Sequence, residues 1–262
     1  MTINLHKGTE PILVSMPHIG TDIPNALQVH FVPRALDVED TDWHLARLYD
    51  FLPSMGASVL TPTISRYVID LNRPPDNAPM YPGASNTELC PTHFFTGEAL
   101  YQAGQEPTPQ EIERRKAFYW QPYHEALSAE LARIKAIHGF ALLWDAHSIR
   151  SQIPWLFEGK LPDLNIGTAS GSAAHPTISD AAASEVNRFS HVVNGRFKGG
   201  YITRNYGRPA QHIHAIQLEK CQSTYMRETS PFAYDEGLAS QLKPTLQQMV
   251  QSSLLASKAL YD

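Results

Sequence analysis

Two histidines, three aspartates and one glutamate in this chain are of the types that hold a divalent cation and move a proton. His18 follows the apolar run Pro11-Ile-Leu-Val-Ser-Met16, and Gly20 just beyond it permits close backbone approach of a ligand. His147 follows the apolar run Phe140-Ala-Leu-Leu-Trp144, with Asp145 two residues before it. A carboxylate so placed can orient a ligating imidazole through its second ring nitrogen. A catalytic zinc site takes three protein ligands and keeps a position open, and a carboxylate is an ordinary third ligand. Asp42 is the preferred third ligand, Asp40 in the same Asp40-Thr-Asp42 segment the second choice, and Asp22 the third. Acidic residues at a helix start also serve as dipole partners, so the choice among the three stays open at this point.

Glu219 ends the apolar run Ile216-Gln-Leu-Glu219. Beside a divalent cation, a carboxylate can take a proton from the attacking water, because the cation lowers that water's pKa towards about 7. Arg73, Arg150 and Arg204 are the anion candidates, since a guanidinium grips a carboxylate with a planar fork. Arg73 sits in Leu71-Asn-Arg-Pro74. Arg204 and Tyr201 lie in Gly199-Gly-Tyr-Ile-Thr-Arg-Asn-Tyr-Gly207, a stretch rich in hydrogen-bond donors. Two arginines serving one substrate imply a substrate with two carboxylates.

These residues are far apart in the chain, so a framework must gather them. Short apolar runs alternate with helix-like stretches, which predicts an α/β fold with a mixed, mostly parallel sheet flanked by helices. Strands are expected at Pro11–Met16, Ala57–Thr61, Arg66–Leu71, Phe140–Trp144, 191–194, 201–203 and Ala215–Leu218. Helices are expected at Thr41–Leu52, Pro109–His138, Ser179–Phe189 and Tyr234–Tyr261, the last interrupted near Pro244. Thr108 and Glu111 form a capping box for the long helix, and Gly139 stops it. Residues 74–109 carry seven prolines and read as a long surface excursion. Open α/β sheets collect ligands at the carboxyl ends of their strands. Those ends deliver His18, Asn72 with Arg73, the Asp145–Arg150 segment, and Glu219.

Composition narrows the field. A chain of 262 residues suits one domain spanning its whole length. With 42% apolar and 18% charged residues it can bury a core, which excludes a disordered chain. A net charge of −5 argues against a nucleic-acid partner. Nothing approaches 18 consecutive apolar residues, so no membrane span is expected. Two cysteines cannot make a disulfide framework, and the first ten residues lack a signal-peptide pattern, so a cytoplasmic protein is expected. The serine-hydrolase elbow, the phosphate loop, the dinucleotide fingerprint and the H-E-x-x-H helix are all missing.

Six motifs occur in an order with a known counterpart. They are Val14-Ser-Met-Pro-His-Ile-Gly20, Asp40-Thr-Asp-Trp43, Asp70-Leu-Asn-Arg-Pro74, Trp144-Asp-Ala-His-Ser-Ile-Arg150, Pro162-Asp-Leu-Asn-Ile-Gly-Thr168, and His214-Ala-Ile-Gln-Leu-Glu219 with Tyr225. Together the set, spanning about residues 11–230, resembles the N-formylglutamate deformylases (N-formylglutamate amidohydrolases) of histidine degradation. That family is related to zinc carboxypeptidases and aspartoacylases. The resemblance implies a phosphorylase/hydrolase-like α/β fold and zinc-dependent cleavage of N-formyl-L-glutamate to L-glutamate and formate, with another divalent metal as an alternative. It implies His18 and His147 as zinc ligands and Glu219 as general base. Asn72 and Arg73 match the pair that grips a substrate carboxylate. Arg204 is then expected at the second carboxylate, Tyr201 beside the substrate, and Arg150 at the oxyanion. The relatives' H-x-x-E pair is broken here, because Thr21 stands three residues after His18. The third ligand therefore comes from elsewhere, and the Asp40–Asp42 segment is the expected source. Rival readings are a zinc amidohydrolase for another N-acyl amino acid or short peptide, and a binding module for an acidic metabolite.

Overall fold

Nine consecutive buried residues, Ala141–Ile149, form β4, the middle of the sheet. A computed structural model describes residues 2–80 and 86–261, with a first short helix, α1, at Asn25–Gln28. Its other strands are β1 (Ile3–His6), β2 (Ile12–Ser15), β3 (Ser58–Pro62), β5 (Leu164–Gly167), β6 (His191–Val193) and β7 (Ile213–Cys221). They form one seven-stranded sheet in the order β1-β3-β2-β4-β7-β5-β6. The four central strands β3, β2, β4 and β7 run parallel. β1 and β5 turn antiparallel to their inner neighbours. The expected mixed, mostly parallel sheet with flanking helices is what forms.

Strand alternation divides the apolar residues between two cores. Ile12, Val14, Leu142, Trp144, Ala146, Ile216 and Leu218 face one core. Two long helical segments cover it, α5 (Pro176–Ser184) and α7 (Glu236–Lys258), together with the short α2 (Leu45–Leu48). Leu13, Leu60, Leu143 and Ala215 face the other core, under a helix of three parts. Its parts are α3 (Pro109–Arg115), a π turn (Lys116–Trp120) and α4 (Gln121–His138). Thr108 accepts from the Glu111 amide, and Gly139 at φ 80° ends the helix, as the capping pattern predicts.

Several expected elements differ, each for a local reason. The 66–71 segment forms turns rather than a strand, because Arg66 and Asp70 pair at 2.8 Å across four residues and Asp70 accepts the Asn72 amide at 2.8 Å. Residues 201–203 belong to a helix, α6 (Tyr201–Tyr206), not a strand. The short Ile-Thr pair suited either form, and burial of Ile202 and Thr203 on one helical face decides it. Only Leu45–Leu48 of the 41–52 stretch is α-helical, since His44 at φ 61° breaks the run before it. The helix expected at Ser179–Phe189 starts earlier, at Pro176, and ends at Ser184. Conversely, α7 runs unbroken through Pro244, because burial of Leu242, Leu246, Met249 and Val250 outweighs one lost backbone bond. β4 and β7 extend beyond the apolar runs that mark them, so His147 and Glu219 sit within strands rather than after them. The 74–109 excursion is not a plain surface loop: Leu89, Phe94, Leu100 and Tyr101 are buried in the second core, while its residues 81–85 lie outside those described. Among the described residues no helix is long and apolar enough to cross a membrane.

Candidate metal centre and active site

His18, in the turn after β2, and His147, on β4, approach with ring centroids 4.9 Å apart. The loop carrying Asp42 is docked on the first of them: the Asp42 amide donates to the His18 carbonyl at 3.0 Å. Asp42 Oδ2 then lies 3.7 Å from His18 Nδ1 and 3.2 Å from His147 Nδ1. Within this group of three, one donor atom per residue lies inside 4.8 Å of the others, and all three side chains are buried. Gly20 serves the chain itself and not a ligand: a Cβ there would meet the Ile64 carbonyl at 2.2 Å.

The outer ring nitrogens are held as a ligating pair requires. His18 Nε2 is 2.7 Å from Asp70 Oδ1, and His147 Nε2 is 3.1 Å from Asp145 Oδ1. An ionised carboxylate can only accept, so Asp70 pins a proton on His18 Nε2; His147 Nε2 faces both Asp145 and the Asn72 amide nitrogen, and a cation at the two Nδ1 atoms would replace any proton held there toward Asp42. Burial works against the Asp42 charge, but His147 and His18 outweigh it and hold that carboxyl well below the usual range. Burial likewise opposes charge on His147, yet Asp145 and Asp42 push its pKa up to about 10. The cluster thus carries an appetite for positive charge. Asp42 Oδ1 is buried with no hydrogen-bond partner. Two imidazole nitrogens and a carboxylate, with an orphaned buried oxygen beside them, fit a divalent cation of the zinc type.

Glu219 stands on β7 in register with His147 on β4. Parity puts Asp145, His147, Gln217 and Glu219 on one sheet face, above Leu143 and Ala215. Burial raises the Glu219 pKa to about 7, against the lowering effect of His147. Its Oε1 also has no hydrogen-bond partner and no exposed surface. A carboxyl poised near neutrality beside a candidate cation site is matched to proton transfer at neutral pH.

An open cleft lies over this cluster. Its walls include Asn72 and Arg73 from the turn after 66–71, Arg66, and Arg196. Asn72 Nδ2 is 2.9 Å from His147 Nε2, and its Oδ1 accepts from the Ile202 amide at 2.8 Å. Gly200 makes room for that carboxamide, since a Cβ would meet it at 2.3 Å. Arg73 donates to Thr87 Oγ1 at 2.6 Å, and Arg66 lies over the Phe95 ring at 4.5 Å.

Other expected residues fall elsewhere. Asp40 accepts from Tyr67, the Phe95 amide and Arg150, so it is used up outside the donor group. Asp22 is exposed and bridges to Ile64. Arg150 pairs with Asp40 and lines no part of the cleft. Arg204, on α6, donates to the Gly199 carbonyl before that helix and does not line the cleft either. Tyr201 packs its ring against Trp120 and His124, 5.6 and 5.4 Å away. The positions not foreseen are Arg66, Asp70 and Arg196. Arg66 and Asp70 lie in a segment expected to be a strand, where residues four apart do not meet, and no local pattern marks Arg196.

Fold and site together define an α/β protein with a buried histidine-carboxylate centre at the carboxyl edge of its sheet. Comparison with known proteins narrows the class. A family model described as N-formylglutamate amidohydrolase matches residues 10–226, and the chain belongs to that family. It is 49% identical over 255 residues to an N-formylglutamate deformylase of Pseudomonas putida, covering 96% of this chain and 95% of that one. It is 47% identical over 262 residues to an N-formylglutamate deformylase of Pseudomonas aeruginosa, covering 99% and 98%. Among solved structures, an N-formylglutamate amidohydrolase from Ralstonia eutropha JMP134 shares the fold with a TM-score of 0.80 at 23% identity, covering 98% of this chain and 97% of that one.

Proposed function

We propose that this protein hydrolyses N-formyl-L-glutamate to L-glutamate and formate with the help of one divalent cation, zinc foremost. The observation that carries the reading is the convergence of His18, Asp42 and His147 beside Glu219, in a chain of the N-formylglutamate amidohydrolase family. His18 Nδ1, His147 Nδ1 and Asp42 are the residues to hold the cation. Bound there, it would supply Lewis-acid polarisation of the formyl carbonyl and acidify the attacking water.

The chain's own residues do the rest. Glu219 takes a proton from the water as the oxygen attacks the formyl carbon, and returns one to the amide nitrogen as the C–N bond breaks. Arg66, paired with Asp70 and 3.6 Å from Asp42, keeps a buried positive charge at the cleft wall where the oxyanion develops. It takes the role first expected of Arg150. Asn72 and Arg73 grip one carboxylate of the substrate, and Arg196 replaces Arg204 as the candidate for the other. Two anchored carboxylates place the small formamide over the cluster.

Whole-chain domain and cellular setting belong to the same proposal. His147 and Glu219 stand on the one sheet, and the loops that bring the other site residues pack against it, so residues 1–262 act as one catalytic domain. The reaction belongs to histidine degradation, and two free buried cysteines, Cys90 and Cys221, accord with a reducing cytoplasm. Elemental analysis combined with a formate-release assay tests the reading. One metal per chain and chelator-sensitive release of formate are expected. Full activity in metal-free protein, or no formate from this substrate, refutes it.

A further inference from the structure

The turn that presents Asn72 and Arg73 has no strand ladder to hold it, yet its main chain is pinned from outside. Trp120 Nε1 donates to the Arg73 carbonyl at 2.9 Å. His124 Nε2 lies 2.9 Å from the Leu71 carbonyl and must be the donor there, since a carbonyl only accepts. The other nitrogen, His124 Nδ1, is 2.9 Å from the Tyr206 hydroxyl. Burial drives the His124 pKa down to about 4, so a neutral ring with that single tautomer persists. The two rings stack on each other at 3.8 Å. The carbonyls on either side of Asn72 are thus both satisfied by side chains of one helix.

The helix is built for this. Trp120 closes the π turn Lys116–Trp120, and His124 sits one turn later on α4. Pro122 supplies the cause: it lacks the N–H that would reach Phe118, and its ring crowds that carbonyl. A π turn adds one residue, which rotates the following face by about 100° relative to an uninterrupted α-helix. Tyr201 packs on the same pair of rings, and its amide donates to the Asn72 carbonyl at 3.3 Å.

We propose that Trp120 and His124 are positioning residues, presented by the π turn, that hold the Asn72–Arg73 main chain so that its side chains meet the substrate carboxylate. The proposal rests on the functional reading above for the identity of that carboxylate. Tyr201, first expected at the substrate, then belongs to the support behind the clamp.

Trp120→Phe keeps a ring against His124 and removes only the indole donor. Wild-type turnover of N-formyl-L-glutamate checks the functional reading separately. The variant is expected to raise KM roughly three- to tenfold, the effect of one lost hydrogen bond, with kcat and metal content held. His124→Leu should behave like Trp120→Phe. His124→Gln, whose amide can still donate to Leu71, should stay near wild type. This second pair decides the matter if Trp120→Phe does not fold. Amide exchange in the 70–73 segment, where Asn72 N–H donates to Asp70 Oδ1, should quicken in the two donor-less variants and not in His124→Gln. An unchanged KM in folded Trp120→Phe with active wild type overturns the proposal. If wild type releases no formate, unchanged exchange overturns it instead.

Discussion

His147 and Glu219 are cross-strand partners: they stand opposite each other on the parallel strands β4 and β7, in a ladder that pairs Ala141 with Ile213 through Ile149 with Cys221. Adjacent strands lie about 4.8 Å apart, so the ladder sets the spacing between the proposed cation ligand and the proposed proton carrier. A slip of one residue would turn Glu219 to the opposite face and bring Lys220 into its place. Lys220 now points into the other core, donating to the His147 carbonyl at 2.6 Å and lying 4.9 Å from the Tyr49 ring.

Removing the proton carrier tests this pairing most directly. Glu219→Gln preserves shape and is expected to lower kcat by roughly a hundred- to ten-thousandfold, with metal content unchanged. Steady-state formate release with elemental analysis measures both, and near-normal kcat in that variant rules out the assigned role.

The two carboxylate shells around the cluster should separate in a metal titration. Asp42→Ala removes a ligand and is expected to leave the purified protein nearly metal-free. Asp70→Asn removes the negative charge behind His18 Nε2, 2.7 Å away, together with the charge partner of Arg66, and is expected to weaken metal affinity by about ten- to a hundredfold. Equal loss from both would mean that Asp70 does more than orient His18.

Arginine variants report on substrate recognition. Loss of a charge-assisted hydrogen bond costs about 1.5–3 kcal/mol, so Arg73→Ala should raise KM for N-formyl-L-glutamate by roughly ten- to a hundredfold. Arg196→Ala should act similarly. Arg204→Ala, outside the cleft wall, should change little. A neutral formamide as comparison substrate should be insensitive to all three, and parallel losses on both substrates would argue against carboxylate recognition.

Two pH effects follow from the buried groups. Glu219 with a pKa near 7 accepts a proton only when ionised, so kcat/KM is expected to fall on the acid side, with an inflection at or below about 7 because a bound cation favours the ionised form. His147 is raised to about 10 and is protonated below that value in the absence of metal. Cation binding must displace that proton, so metal affinity is expected to drop about tenfold per unit fall in pH. Metal titrations at several pH values check the slope.

Residue type and local period carried much of this in the sequence. The apolar runs before His18, His147 and Glu219 marked the strands that gather them, while the register that sets His147 opposite Glu219 came only with the folded sheet. The family motifs pointed to the same residues. Tertiary structure decided which acid joins them. Asp40 and Asp42 are two residues apart, and Tyr67, Phe95 and Arg150 claim the first while the His18 carbonyl docks the second. It also decided among the arginines. A long guanidinium reaches whatever the packed loops place within several ångströms of its backbone, and no short-range pattern encodes that. Spacing along the chain therefore specifies which face a side chain takes, whereas its partner across the sheet and loops exists only once the chain has folded.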